Sequence, residues 1–150
     1  MVSLLAKKLI FHLGEIGFSL DLAAVVEILE QSGDAVDSSR SDLSLGIVGA
    51  LEFRQTWIPV VDATLKLDIK STQALSEKTA LILKSPEGNW ALLVDGVVEI
   101  GTLDEFSPCA IPPLLRRSAA NHYTQLEMRK DELLVVFEPG QFYGVRSAVQ

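Results

Sequence analysis

The chain has 150 residues, of which 48% are hydrophobic, and a formal net charge of −7. This length is typical of one domain with a sizeable core, and the acidic balance argues against a nucleic-acid surface or a strongly anionic membrane, because both need clustered Lys and Arg. The single cysteine, Cys109, excludes an intrachain disulfide and favours a reducing compartment, while no signal-peptide pattern and no apolar run of membrane-spanning length is present in the sequence.

Short apolar runs rich in Val, Ile and Leu recur along the chain, each of strand length and bounded by turn residues, which predicts a mainly β fold. The predicted strands cover residues 9–13, 18–22, 58–61, 79–84, 90–94 and 133–138. Gly-containing stretches at 13–17 and 85–89 predict hairpin turns, and the polar stretch 128–133 predicts a third hairpin tip. Residues 31–42 are typical of a loop, and only 112–123, which Pro opens, favours a helix. Many short strands of this kind indicate a barrel or a sandwich.

The predicted strand at 58–61 contains Pro59 and is followed by Asp62. Because Pro has no N–H to donate to a sheet, Pro59 is predicted to lie at the start of a strand or on an edge strand. Asp62 ends the apolar run, where an Asp side chain typically accepts hydrogen bonds from the backbone N–H groups of a turn. We therefore interpret Asp62 as a turn cap.

An internal repeat relates the two halves of the sequence at a shift of 72 residues. "GFSLDLAAVVEI" at 17–28 aligns without a gap over "NWALLVDGVVEI" at 89–100, and "LIF" at 9–11 aligns over "LIL" at 81–83. The repeat therefore covers about residues 9–28 and 81–100, and predicts two copies of one small β unit. Units of about 70 residues are marginal alone, so we expect the two to share an interface within a single domain, 1–150, with a groove between them.

Three residue types, Asp, His and Cys, invite a catalytic or metal-binding interpretation. Asp62 and Asp95 are candidates for an acid–base pair, but both follow apolar runs in the manner of turn caps. His12 and His122 have no Cys or carboxylate at ligand spacing, so no metal site is predicted. Cys109 has no activating base nearby in the sequence. An enzyme or ligand-binding domain that uses Asp62, Asp95 and His122 remains an alternative.

Charged residues outside the strands suggest contact surfaces. Arg116 and Arg117 lie beside apolar residues and fit either a basic contact or an ordinary solvated face. Glu27 and Glu30 follow a predicted strand, where they fit either partner contacts or polar edge residues that prevent aggregation. Residue types alone leave both pairs of interpretations open.

The order of the segments resembles a known family. "GALEFRQTWIPVVDATLKL" at 49–67 is similar to the signature of CheW-type chemotaxis coupling proteins, in which a Gly and an Asn-Leu-Arg-Gly run precede Ile-Pro-Val-Val-Asp. The segments 11–30, 88–100 and 131–139 resemble, in order, the first hairpin, the "VDGV" segment and the last strand of that family. The resemblance covers nearly the whole chain.

The resemblance implies a fold and a function. The implied fold is a pair of interleaved, pseudo-symmetric, small five-stranded SH3-like β-barrels with a groove between them. The implied function is that of a noncatalytic cytoplasmic adaptor, without cofactor or metal, at the periphery of receptor arrays. Its implied partners are the regulatory domain of a CheA-type histidine kinase and the cytoplasmic tip of a chemoreceptor (a methyl-accepting chemotaxis protein). Neither nucleic acid nor membrane insertion is implied.

Positions in the family pattern suggest which residues bind a partner. The expected contact residues are Val25, Glu27, Gly49, Glu52, Arg54 and Gln55. Glu52 replaces the usual Asn of the signature and Gln55 replaces the Gly after the Arg, so the partner surface departs from the family pattern. This leaves two variants of the adaptor role open, namely a scaffold for another pathway such as surface motility, and a stand-alone scaffold or inhibitor.

Overall fold

The fold is mainly β, as the apolar runs predict. The computed structural model describes residues 6–67, 69–71, 73–109 and 125–139. The strands in these residues are β1 (Lys7–Leu13), β2 (Ile16–Asp21), β3 (Val25–Leu29), β4 (Ile47–Phe53), β5 (Thr56–Asp62), β6 (Thr79–Ser85), β7 (Gly88–Val94), β8 (Gly96–Thr102), β9 (Ser107–Cys109), β10 (Leu126–Arg129) and β11 (Glu132–Val136). A one-turn helix, α1 (Ala63–Lys66), follows β5. No helix within the described residues is long and apolar enough to cross a membrane.

The strands form two sheets of similar size. The first has six strands in the order β8-β1-β2-β11-β10-β9, and the second has five strands in the order β3-β6-β7-β5-β4. The predicted pair of small β units is confirmed, and the three-residue strand β9 adds a sixth strand to one of them. Without β9 the two sheets have matching orders, since β8-β1-β2-β11-β10 corresponds to β3-β6-β7-β5-β4. In each sheet the first pair is antiparallel, and the third and fourth strands are parallel.

Strands of the two repeat copies occupy matching places. β6 begins at Thr79, 72 residues after β1 begins at Lys7, and β7 begins at Gly88, 72 residues after β2 begins at Ile16. The third strand of each copy leaves its own hairpin, because β3 pairs with β6 and β8 pairs with β1. Each sheet therefore combines a hairpin of one half of the chain with several strands of the other half. The hairpin β1–β2 is joined by β8, β9, β10 and β11, and the hairpin β6–β7 is joined by β3, β4 and β5.

The hydrophobic core consists of a large cluster shared by the two sheets and of smaller clusters on the opposite face of each sheet. In β6 the side chains alternate, so Leu81 and Leu83 join the large cluster between the sheets while Ala80 and Ile82 face the interior of the five-stranded sheet. The large cluster consists of Leu9, Phe11, Leu13, Phe18, Leu20, Val61, Ala63, Leu67, Leu81, Leu83, Trp90, Leu92, Val94, Leu126, Val135 and Phe137. This shared core fixes the two sheets against each other.

Several local predictions can be compared with the structure. The hairpin turns at 13–17, 85–89 and 128–133 are confirmed, and 31–42 is a loop with short 3₁₀ turns. The prediction for Pro59 is wrong, because Pro59 lies in the middle of β5, inside the sheet. The parallel pairing of β5 with β7 begins only at the next residue, Val60. Pro59, which has no N–H to donate, therefore lies just before the hydrogen-bonded pairs of these two strands. The predicted helix at 112–123, with Arg116, Arg117 and His122, lies outside the described residues.

Candidate protein-interaction site

The turn between β4 and β5 carries two of the predicted contact residues. Phe53 pairs with Thr56, so Arg54 and Gln55 form a two-residue loop, and both have positive φ, 52° and 67°. This is the backbone geometry of a type I′ hairpin turn, where Gly or Asn is preferred because other side chains are strained. The Gly found here in the family signature would adopt this conformation with less strain than Gln55 does. The turn exposes both side chains to solvent.

An ion pair joins this turn to the opposite edge of the same sheet. Arg54 Nη2 lies 3.3 Å from Glu27 Oε1 in β3, and the guanidinium also stacks 4.7 Å from the centre of the Phe53 ring. The two charged side chains are 66% and 43% exposed, so their pairing contributes little to stability, on the order of 0.2–1 kcal/mol. Both groups remain accessible to a partner. The structure thus brings Glu27, Arg54 and Gln55 together on one exposed surface.

Gly49 and Val25 are placed differently. Gly49 is buried in β4 beneath the loop, where an added Cβ would lie 2.6 Å from Val36 Cγ1 and 2.7 Å from the carbonyl oxygen of Asp37. This close approach lets Asp37 pair with Ala50 through two backbone hydrogen bonds of 2.7 and 3.1 Å. Val25 is half-buried and packs against the large core cluster. Gly49 therefore has a packing role, and its part in partner binding stays a prediction.

Sequence reasoning missed a stacked pair beside the turn. The Arg40 guanidinium lies 4.2 Å from the centre of the Trp57 ring, and Trp57 is 43% exposed. Arg40 Nε is held 3.3 Å from Asp37 Oδ2, and hydrogen bonds from Ser39 lower the pKa of the Asp37 carboxyl, which keeps it charged. The signal available in the sequence was a Trp preceding the apolar run at 58–61.

Glu52 completes the exposed surface. It lies directly opposite Trp57 in the antiparallel β4–β5 ladder and is exposed. Within the described part of the chain it makes no ion pair or side-chain hydrogen bond, in contrast to Glu27 and Asp37. We call Glu27, Arg40, Glu52, Arg54, Gln55 and Trp57 the turn surface.

The other half of the molecule has a related but different arrangement. Its hairpin turn, Lys130–Asp131, also has two positive φ values, and Lys130 Nζ lies 3.8 Å from Glu99, the repeat equivalent of Glu27. Arg129 Nη2 lies 2.7 Å from both Glu99 and Glu105. Hydrogen bonds from Arg129 lower the pKa of both carboxyls and raise the pKa of the guanidinium.

The interiors of the two sheets differ sharply in chemistry. The five-stranded sheet buries Leu51, Phe53, Ala80 and Ala91. At the matching positions the six-stranded sheet has Glu127, Arg129, Lys8 and Ser19. Lys8 Nζ lies 2.8 Å from Glu127 Oε2, with the two side chains only 14% and 6% exposed, and Ser19 Oγ donates to the same carboxylate. One half thus has an apolar interior and the other has a buried ionic one.

The candidate catalytic carboxylates are both engaged in structural contacts. Asp62 Oδ1 accepts a hydrogen bond of 3.0 Å from the backbone N–H of Thr64, so its predicted role as a turn cap is confirmed. Asp95 instead accepts from the backbone N–H of Gly14, in the β1–β2 turn. Buried Lys78 lies between the two, 3.4 Å from Asp62 and 3.7 Å from Asp95. The cluster ties one sheet to the turn of the other.

The remaining candidates for chemistry do not converge in the described residues. His12 Nε2 lies 3.1 Å from Glu132 Oε2, as expected of an ordinary histidine with a partner. A polar cleft of about 530 Å³ opens beside Asp95, and Asp62 does not line it. No group of three or more His, Cys, Asp or Glu side chains in the described ranges is placed to hold a metal ion.

Comparisons with known proteins agree with this architecture. The family model described as "CheW-like domain" matches residues 7–142. The crystal structure of the scaffolding protein TtCheW from Thermoanaerobacter tengcongensis is similar, with a TM-score of 0.69 and 20% sequence identity over 89% of this chain and 88% of that chain. At this identity the likeness shows the fold. No curated protein sequence matches the chain.

Proposed function

The chain belongs to the CheW-like domain family, and we propose that it is a noncatalytic adaptor that couples chemoreceptors to a CheA-type histidine kinase. The observation that carries the proposal is the family match over residues 7–142, which includes both sheets and the whole turn surface. Residues 1–150 then act as one domain of two interleaved halves, on the cytoplasmic side of receptor arrays.

The mechanism is binding without chemistry. The turn surface offers a Trp ring, two guanidinium groups and three amide or carboxylate side chains, all exposed at or beside the β4–β5 turn. Aromatic and Arg side chains of this kind are the residues that most often carry binding energy at protein interfaces. We assign this surface to the regulatory domain of the kinase, and a separate surface to the receptor tip, so that receptor state biases kinase activity through the adaptor.

The experiment is a titration of the purified chain with two partners from the same organism: the regulatory domain of a CheA-type kinase, and a receptor cytoplasmic fragment. We expect micromolar or tighter binding of both by calorimetry. Absence of binding by either partner in the micromolar range would overturn the coupling role.

Arg54→Ala locates the kinase contact. Because the Arg54–Glu27 pair is largely exposed, the variant should melt at nearly the parent temperature while binding the kinase domain about tenfold more weakly. The matched control is Lys84→Ala, which removes an exposed cation from β6. A loss of kinase binding accompanied by a large loss of stability would assign Arg54 to structure and not to the interface.

A further inference from the structure

Glu52 and Trp57 form a cross-strand pair on the outward face of the β4–β5 hairpin. Residues directly opposite each other in an antiparallel ladder place their side chains on the same face, about 5 Å apart at Cβ. The neighbours Leu51 and Ile58 point inward and are 3% and 4% exposed, whereas Glu52 and Trp57 are exposed. A carboxylate and an indole ring are thus displayed side by side on a rigid element.

The charges around this pair are unequally compensated. Arg40 is held by Asp37 and Arg54 by Glu27, so each arginine of the turn surface already has a carboxylate. Among the carboxylates of this surface, Glu52 is the one without an ion pair to a described residue. The stacking of Arg40 on Trp57 at 4.2 Å also shows that this indole accepts a guanidinium.

The other half of the molecule lacks this combination. The residues at the matching place in the β10–β11 hairpin are Met128 and Leu133, which also lie opposite each other, and Leu133 is 52% exposed. The two hairpins therefore display different chemistry at equivalent positions, one acidic and aromatic and the other apolar. This difference between the two hairpins would allow a partner to bind one half of the molecule in preference to the other.

We propose that the Glu52–Trp57 pair receives an arginine side chain of the partner, whose guanidinium would bond the Glu52 carboxylate and pack against the part of the indole that Arg40 leaves exposed. Arginine fits better than lysine, because its planar group can make both contacts at once. The proposal deepens the adaptor role and rests on it, since the partner is taken to be the kinase regulatory domain. It makes Glu52 and Trp57 specificity-determining residues of the turn surface.

The first experiment measures kinase-domain binding by Glu52→Gln and Trp57→Leu, with Glu87→Gln as the matched control because Glu87 is an exposed acid in a different turn. We expect Trp57→Leu to weaken binding about 30-fold. Glu52→Gln should weaken it about fivefold, mainly through the association rate, and should reduce the salt dependence. Binding by Glu52→Gln that equals that of Glu87→Gln would overturn the proposal and leave the adaptor role intact.

The second experiment does not depend on the partner. A blocked arginine peptide, and the same peptide with neutral citrulline, are titrated into the full chain while the indole N–H resonance of Trp57 is followed by NMR. This resonance is assigned by its loss in Trp57→Phe. We expect a saturable shift with arginine only, abolished in Glu52→Gln. Equal shifts with both peptides, or no arginine-dependent shift, would overturn the proposal. An arginine shift without kinase binding would refute the kinase regulatory domain as the partner and leave the arginine site itself supported.

Discussion

The buried ion pair of the six-stranded sheet predicts strongly non-additive substitutions. Glu127→Leu alone leaves Lys8 without its carboxylate at a site where the lysine side chain is only 14% exposed. Removing one partner of a buried pair typically destabilises a protein by about 3–5 kcal/mol. Replacing the whole group with apolar residues of similar volume, through Lys8→Met, Ser19→Ala and Glu127→Leu, is expected to be neutral or to stabilise by about 1–4 kcal/mol.

The five-stranded sheet is the precedent for this triple variant, because it has Ala80, Ala91 and Leu51 at the matching positions. The assay is urea unfolding of the single and triple variants, followed by circular dichroism, with ΔG in water from linear extrapolation. In a parallel thermal unfolding experiment, at about 2–4 °C per kcal/mol for a chain of this size, the single variant should lose roughly 10 °C in Tm and the triple variant should regain it. A triple variant as unstable as the single one would refute the reasoning.

Three further predictions concern pH, turn strain and packing. Arg129 lowers the pKa of Glu99 and Glu105 in the folded state, so the stability that these carboxylates contribute is present above the ordinary pKa of 4.5 and is lost as pH falls below it. Acid unfolding should therefore show a free energy of unfolding that decreases with falling pH. This dependence should be weaker in the double variant Glu99→Gln, Glu105→Gln. Gln55→Gly removes the strain of a non-Gly residue at a positive φ of 67° and should raise stability by about 0.5–1 kcal/mol. Thermal unfolding measures this gain, and an unchanged or lower Tm would contradict the turn assignment. Gly49→Ala should destabilise the protein by about 1–3 kcal/mol, because the added Cβ forces the loop away from β4. Urea unfolding measures this loss, and the backbone amide of Asp37 should exchange faster with solvent. Exchange at the parent rate would contradict the packing role.

The sequence predicted the two hairpins of the repeat well, because each has a continuous apolar run and a Gly-containing turn. It did not predict β4, where Gly49 and Glu52 interrupt the apolar pattern. The exchange of strands between the sheets, which begins with β3 and β8, was also not predicted, because the "VVEI" pattern specifies a half-buried strand and not which neighbour it joins.

The candidate site was predicted only in part for a similar reason. Glu27 and Arg54 are 27 residues apart, and although Glu27 alone suggested a contact, no local pattern predicted that the two would meet. The Arg40–Trp57 stack depends on a loop that folds back over β4, and such a contact leaves no periodic signal in the sequence. Gly49 was predicted as a contact residue because it belongs to the signature, and the structure adds a packing role, since its missing side chain lets that loop approach β4.

The strands exchanged between the sheets bear on how a chain of this kind can arise and be divided. A half-length ancestor with the same topology would leave both sheets incomplete unless a second copy supplied the missing strands, so it would fold only as an intertwined homodimer. Gene duplication and fusion would turn that dimer into one chain without changing any strand neighbour. Conversely, a cut between β5 and β6 should give two fragments that are each unfolded alone and that reassemble on mixing, which makes the chain a natural starting point for a split reporter.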